Sequence, residues 1–124
     1  MRNDMEEQAE AAEVIGDYLK GTEGILTDLF QSGFAAVHDG TLEELGTAAA
    51  SGRQYGMTVL ADMLEELRVL LDAQRHQARG ENRQVYVIYG KLNQYLEICA
   101  RRLEISRAAC RLGIGGETED AESK

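Results

Sequence analysis

NRQVYVIYGKLNQYLEICARRLEISRAACRL, residues 82–112, is the stretch that decides the fold class of this 124-residue chain. Apolar and small residues recur along it in alternating steps of four and three, at Val85, Tyr89, Leu92, Leu96, Cys99, Leu103, Ser106 and Cys110. A period of about 3.5 residues held over this length is typical of one long helix with a single apolar face. At 1.5 Å per residue the helix would be about 45 Å long.

Four shorter helices are predicted upstream, separated by turns that contain glycine. Their expected ranges are 4–20, 22–37, 41–56 and 57–79. Gly21 is expected to stop the first of them, because glycine favours the position just after a helix. Thr41 and Glu44 have the spacing of a capping box, which predicts that Thr41 is the N-cap of the third helix. The chain contains no proline, which suits long helices because proline interrupts them.

The predicted fold is all-α: an antiparallel bundle of four to five helices with a long C-terminal helix. The bundle is expected to span residues 1–113, and residues 114–124 to form an acidic flexible tail. The predicted core consists of Ile15, Leu26, Leu29, Phe30, Phe34, Leu45, Leu60, Leu64, Leu67, Leu71, Leu92, Leu96 and Leu103. Because the last helix outreaches the others, we predict a homodimer through residues 82–112. The alternative is that the other helices wrap it completely.

Charge is sorted along the chain, whose formal net charge is −9. Residues 1–72 carry fifteen Asp or Glu against four Lys or Arg, a net charge of −11. Residues 73–112 carry +5, and residues 113–124 carry −3. Such asymmetry between segments points to docking and pairing surfaces rather than to catalysis.

Two charged surfaces compete as docking sites for a protein partner. The basic candidate consists of Arg101, Arg102, Arg107 and Arg111. The acidic candidate consists of Glu6, Glu10 and Glu13. We predict that the arginine cluster binds an acidic protein, because the arginine fork binds carboxylates well at interfaces, and that the acidic tail covers the cluster in the absence of a partner. The alternatives are that the two surfaces pair with each other or serve solubility.

No pattern typical of catalysis or metal binding is found in the sequence. The two histidines and two cysteines form no CxxC, HxxxH or HExxH arrangement. The glycine-rich residues 113–116 follow a predicted helix instead of leading from a strand into one, so they do not fit a phosphate-binding loop. We therefore predict no enzyme activity, no cofactor and no metal.

Composition also restricts where the protein acts. Cys99 and Cys110 lie about 16 Å apart along one predicted helix, too far for a disulfide, and free thiols suit a reducing cytoplasm. No apolar run is long enough to span a membrane, and the N-terminus lacks an apolar signal region. The negative net charge opposes approach to nucleic acid. We therefore predict a cytoplasmic protein that binds neither nucleic acid nor membranes directly.

Residues 25–78 combine three patterns: Ile-Leu-x-x-Leu-Phe-x-x-Gly-Phe, Thr-Leu-Glu-Glu-Leu, and Tyr-Gly-Met-x-x-Leu-Ala-x-x-Leu-Glu-x-Leu. This segment resembles a helical segment of bacterial proteins associated with SWIM-type zinc fingers. The zinc finger itself has no counterpart here, so the resemblance implies neither metal nor nucleic-acid binding. It implies a helical accessory module that works beside other proteins.

These features predict a small non-catalytic helical protein-interaction module, an adaptor or accessory protein of bacterial or phage origin. The alternative is an acidic inhibitor or nucleic-acid mimic, like phage-type anti-CRISPR proteins, that blocks a basic cleft of a nucleic-acid enzyme. Salt separates the two hypotheses. A mimic binds through charge and weakens as salt rises, whereas a helix that docks in a groove buries apolar area and responds little.

Overall fold

The computed structural model describes residues 4–35, 37–76 and 83–112, which form four helices. They are α1 (Asp4–Ser32), α2 (Asp39–Gln54), α3 (Thr58–Gln74) and α4 (Arg83–Leu112). The described residues contain no strand, and the all-α prediction is confirmed. The acidic tail predicted for residues 114–124 lies outside the described residues.

α1 joins the first two predicted helices into one, so the predicted stop at Gly21 is wrong. The stripe of Leu19, Leu26 and Leu29 continues across that glycine and is buried. Burying these leucines outweighs the roughly 1 kcal/mol that a glycine costs inside a helix. The helix stops instead before Gly33, whose φ of 91° is a left-handed conformation that glycine adopts easily. The Gly33 N–H donates to the Leu29 carbonyl oxygen at 2.9 Å and closes the last turn.

α2 begins two residues before Thr41, so the predicted capping box does not form and that prediction is wrong. The N-cap is His38, whose backbone is extended and whose side chain makes no capping hydrogen bond. Arg75, which follows α3, donates to the Val37 carbonyl oxygen at 3.2 Å and pairs with the Asp39 carboxylate. The start of α2 is therefore fixed by a side chain from another helix end, which a local sequence pattern does not contain.

Each helix contacts the next one in the chain, and α4 contacts α1, so the described helices surround one core. The predicted core residues that are buried are Leu26, Leu29, Phe34, Leu45, Leu60, Leu64, Leu67, Leu71, Leu92 and Leu96. Ile15 and Leu103 are half-buried and pack against this core. Phe30 is 63% exposed, so its assignment to the core is wrong. Its ring stacks on Tyr89 instead, with the centroids 5.8 Å apart.

The first and last helices are much longer than the two between them. α1 and α4 have 29 and 30 residues, about 45 Å each, whereas α2 and α3 have 16 and 17 residues, about 25 Å. Among the described residues, Leu19 is the first buried residue of α1, and Leu96 is the last buried residue of α4. Over residues 4–18 and 97–112 the cover by α2 and α3 is therefore only partial, as at Tyr18 and Leu103, and it ends towards the start of α1 and the end of α4. We call these two segments the two-helix extension.

Because α1 continues through Gly21 and Gly24, alanine should be favoured over glycine at both positions. Gly21 and Gly24 are exposed, and a Cβ atom at either would meet nothing within 4 Å. Replacing each by alanine should therefore raise the free energy of unfolding by about 0.5–1 kcal/mol, measured by urea denaturation. Gly33→Ala is the control and should destabilise, because its φ is positive. A loss of stability in Gly21→Ala would mean that the helix breaks there.

Gly52 allows α1, α2 and α3 to approach one another closely. The Tyr18 hydroxyl donates to the Ala48 carbonyl oxygen at 2.6 Å. A Cβ atom on Gly52 would lie 2.6 Å from that hydroxyl oxygen and 3.4 Å from the Ala61 Cβ. The hydroxyl is held by its hydrogen bond and cannot move away without breaking it, so only glycine fits this position.

We expect Gly52→Ala to destabilise the protein by about 1–3 kcal/mol, the usual range for an overpacked site. Gly46→Ala is the matched control in the same helix. Its new Cβ would have only an ordinary contact, 3.6 Å from the Arg68 Cδ, so it should stabilise by about 0.5–1 kcal/mol. Urea denaturation measures both. If Tyr18→Phe does not relieve part of the Gly52→Ala loss, the hydroxyl is not the obstacle.

Candidate protein-docking surface

The two-helix extension places the predicted arginine cluster in two different environments. Arg107 lies against α1, where its guanidinium donates to the Ala12 carbonyl oxygen at 3.0 Å. A Cβ atom on Gly16 would lie 2.7 Å from the same guanidinium, so that glycine makes room for it. Arg107 therefore joins the two helices of the extension. Arg107 is half-buried, whereas Arg101 and Arg102 are exposed.

Arg101, Arg102 and Arg111 are exposed on α4. The only described ion pair of Arg101 is with Glu97, at 3.9 Å between Nη2 and Oε2, and both side chains are more than two-thirds exposed. Such a pair stabilises little, because water and salt screen it. Arg101 can thus exchange Glu97 for a carboxylate of another protein at small cost.

The acidic candidate surface lies on the other helix of the extension. Glu6, Glu10 and Glu13 are exposed, and their spacing places them on one side of α1. Among the described side chains of that stretch of α1, Val14 is the only large apolar one that is exposed. The acidic surface can attract a basic partner by charge, but it offers little apolar area to bury.

A second apolar stripe runs along the outer face of α4, opposite its seam. It consists of Val87, Ile98, Ile105 and Leu112, which are 53%, 47%, 65% and 72% exposed. At 100° per residue these four side chains lie within about 40° of one another. Leu96, which faces the core, lies about 180° away from Ile105. We call this set the outer stripe. Sequence reasoning missed it, although the seven-residue spacing of its last three members is visible in the sequence.

The charged residues that flank the outer stripe are all basic. Lys91, Arg101 and Arg102 lie within about 60° of its centre and are exposed. The acids of this part of α4, Glu97 and Glu104, lie farther round the helix, where they line a surface groove between α1 and α4. The outer face of α4 therefore carries a row of apolar side chains, interrupted by Gln94 between Val87 and Ile98, with bases along its edges.

The histidine, cysteine and carboxylate side chains are the other groups that could carry chemistry. Among the described residues, no His, Cys, Asp and Glu side chains form a group of three or more that could hold a metal ion. Cys99 is half-buried. Burial raises the pKa of its thiol, and the Tyr95 hydroxyl and the Arg102 charge offset only part of that effect. The thiol therefore stays protonated at neutral pH and is a weak nucleophile.

The raised pKa of Cys99 predicts slow alkylation. In a Cys110→Ser variant, iodoacetamide should modify native Cys99 more slowly at pH 8 than the same thiol in urea, because the thiolate is the reactive form. The rate should rise with pH through a midpoint higher than that of the same thiol in urea, because burial raises the pKa of Cys99. Mass spectrometry over a pH series measures it. Faster reaction in the native state would instead reveal an activated thiol.

No protein-family model, curated protein or solved structure matches this chain. The resemblance of residues 25–78 to SWIM-associated helical segments stays a prediction. Several of the residues that carry it, including Leu26, Leu29, Leu60 and Leu64, are buried in the core. None of the described helices has the length and apolarity needed to cross a membrane.

Proposed function

We propose that this protein is a non-catalytic protein-interaction module, an adaptor or accessory protein whose docking element is the two-helix extension of an antiparallel bundle. The observation that carries the proposal is the length difference between the helix pairs. Arg101 and Arg102 lie where α2 and α3 cover α4 only in part, beside the exposed Ile98 and Ile105. In this proposal α1 holds the extension rigid through the Arg107 contact, and α4 meets the partner.

The antiparallel arrangement is supported by the order of contacts between α1 and α4. Arg107 bonds to Ala12, and the Tyr89 hydroxyl donates to the Leu26 carbonyl oxygen at 2.8 Å. Just after the end of α1, Phe34 packs edge-on against Tyr86. Positions on α4 therefore fall as positions on α1 rise, which is how two antiparallel helices meet.

The second candidate function is an acidic inhibitor or nucleic-acid mimic that blocks a basic cleft. The exposed row of Glu6, Glu10 and Glu13 favours it. The adjacent basic face of α4 weighs against it, because a basic cleft would repel Arg101 and Arg102 if it enclosed the whole extension. A mimic would have to bind through the α1 side alone.

Affinity capture with charge-reversed variants tests the proposal. The wild-type protein should retain a specific partner from a lysate of its host at both 50 and 300 mM salt. Arg101→Glu with Arg102→Glu should abolish retention without lowering the melting temperature, because both side chains are exposed and form no strong ion pair with another described residue. Glu10→Lys with Glu13→Lys is the control and should leave retention unchanged.

The opposite pattern would support the mimic. In that case retention would disappear in the glutamate variant, persist in the arginine variant, and weaken steeply as salt rises from 50 to 300 mM. Retention that neither variant changes would contradict both functions of the extension.

A further inference from the structure

The outer stripe has the geometry of a surface that receives a helix. From Ile98 to Leu112 it spans about 21 Å, and with Val87 it spans about 38 Å. Its members repeat at seven or eleven residues, so they stay in line along one face of a straight helix instead of winding around it. A partner helix of about 15–20 residues would match the length of the evenly spaced part of the stripe, from Ile98 to Leu112.

The charged residues at the edges of the outer stripe are basic. Lys91, Arg101 and Arg102 are exposed on its flanks, and Arg83 falls on the same side. No acidic residue lies within about 60° of the stripe centre on the described part of α4. In helix pairs the flanking positions select the partner by charge, so a stripe flanked only by bases selects a helix flanked by acids.

We propose that the outer face of α4 binds an amphipathic helix of a partner protein, whose apolar stripe is flanked by glutamate or aspartate. The inference rests on the proposed function and names the chemical class of its partner. Ile98 and Ile105 supply the apolar contacts at the centre of the interface. Arg101 and Arg102 lie at its edges and pair with the carboxylates.

A second copy of the chain fits this surface less well. Pairing α4 with α4 would bring Lys91, Arg101 and Arg102 close to the same bases of the other copy, and like charges oppose association. The acidic face of α1 could offer carboxylates to α4 of another copy. However, Val14 is the only large apolar residue exposed among the described side chains of residues 4–18, so this stretch offers little apolar area to cover the stripe.

Two designed peptides of about three heptads test the proposal. Both carry leucine at the first and fourth positions of each heptad. The acidic peptide has glutamate at the fifth and seventh positions, and the basic peptide has lysine there, so that each repels its own copies. Fluorescence anisotropy with the full chain measures the affinity of each peptide at 50 and 300 mM salt.

We expect the acidic peptide to bind at least about tenfold more tightly than the basic peptide at 50 mM salt, with a difference that shrinks at 300 mM. Ile105→Glu should weaken the acidic peptide by about tenfold or more, because it removes a central apolar contact and adds a repelling charge. Val69→Glu is the matched control. It changes an exposed valine of α3, 50% accessible, and should leave binding unchanged.

Arg101→Glu with Arg102→Glu should reverse the preference, so that the basic peptide binds more tightly. Lys20→Glu with Arg53→Glu is the control, because it lowers the net charge by the same amount at exposed positions away from the stripe. Circular dichroism of every variant shows whether the helices are kept. The controls therefore separate an effect at the stripe from an effect of total charge or of stability.

Several results would overturn the inference. Equal binding of both peptides, or binding of neither, would mean that the stripe does not select an acidic helix. A dimer in light scattering that Ile105→Glu dissolves would identify a second copy as the occupant. Binding of single-stranded DNA that requires Arg101 and Arg102 would identify a nucleic-acid surface. If the peptides fail but lysate capture still depends on Arg101 and Arg102, the proposed function stands and only the partner class is wrong.

Discussion

The lengths of the four described helices determine where this protein can bury apolar side chains. A helix face is buried only where another helix lies over it, and α2 and α3 are about 20 Å shorter than α1 and α4. The leucine core therefore ends near Leu19 and Leu96. Beyond that level Tyr18, Ile15 and Leu103 still contact the core, and nearer the helix ends α1 and α4 contact each other. The extension is held by half-buried contacts such as Leu103 and by Arg107, whose guanidinium reaches the backbone of α1.

α4 carries two apolar faces, an inner one that the other helices cover and an outer one that they leave exposed. Its inner face changes from fully buried at Val85 and Leu92 to half-buried at Cys99 and Leu103 as the cover ends. Its outer face is never covered by the described helices, yet it keeps Ile98, Ile105 and Leu112 in line. A scattered exposed apolar residue needs no explanation, but a row with one spacing and one charge at its edges is the composition expected of an interaction surface.

The sequence was sufficient to predict the helices that have a strong period and the core that they share. The 3.5-residue repeat located α4, and the leucines of α3 were placed correctly in the core. Local signals failed where tertiary contacts were stronger. Gly21 does not stop α1, because burial of the leucines on either side stabilises the helix by more free energy than a glycine costs inside it. Thr41 did not cap α2, because Arg75 from the end of α3 holds an earlier start.

The sequence also predicts only part of the docking surface, because tertiary contacts decide which arginines of α4 are exposed. Periodicity places Arg101, Arg102 and Arg107 on one helix, but it does not show which of them meets α1. The structure separates them, because Gly16 leaves space for the Arg107 guanidinium beside the Ala12 carbonyl. Arg107 is thereby engaged in holding the two helices together, while Arg101 and Arg102 remain at the edges of an apolar row. The positive charge of Arg101 and Arg102 by itself would attract any acidic surface. Charge beside that row favours one shape of partner, a helix with carboxylates on either side of its own apolar face.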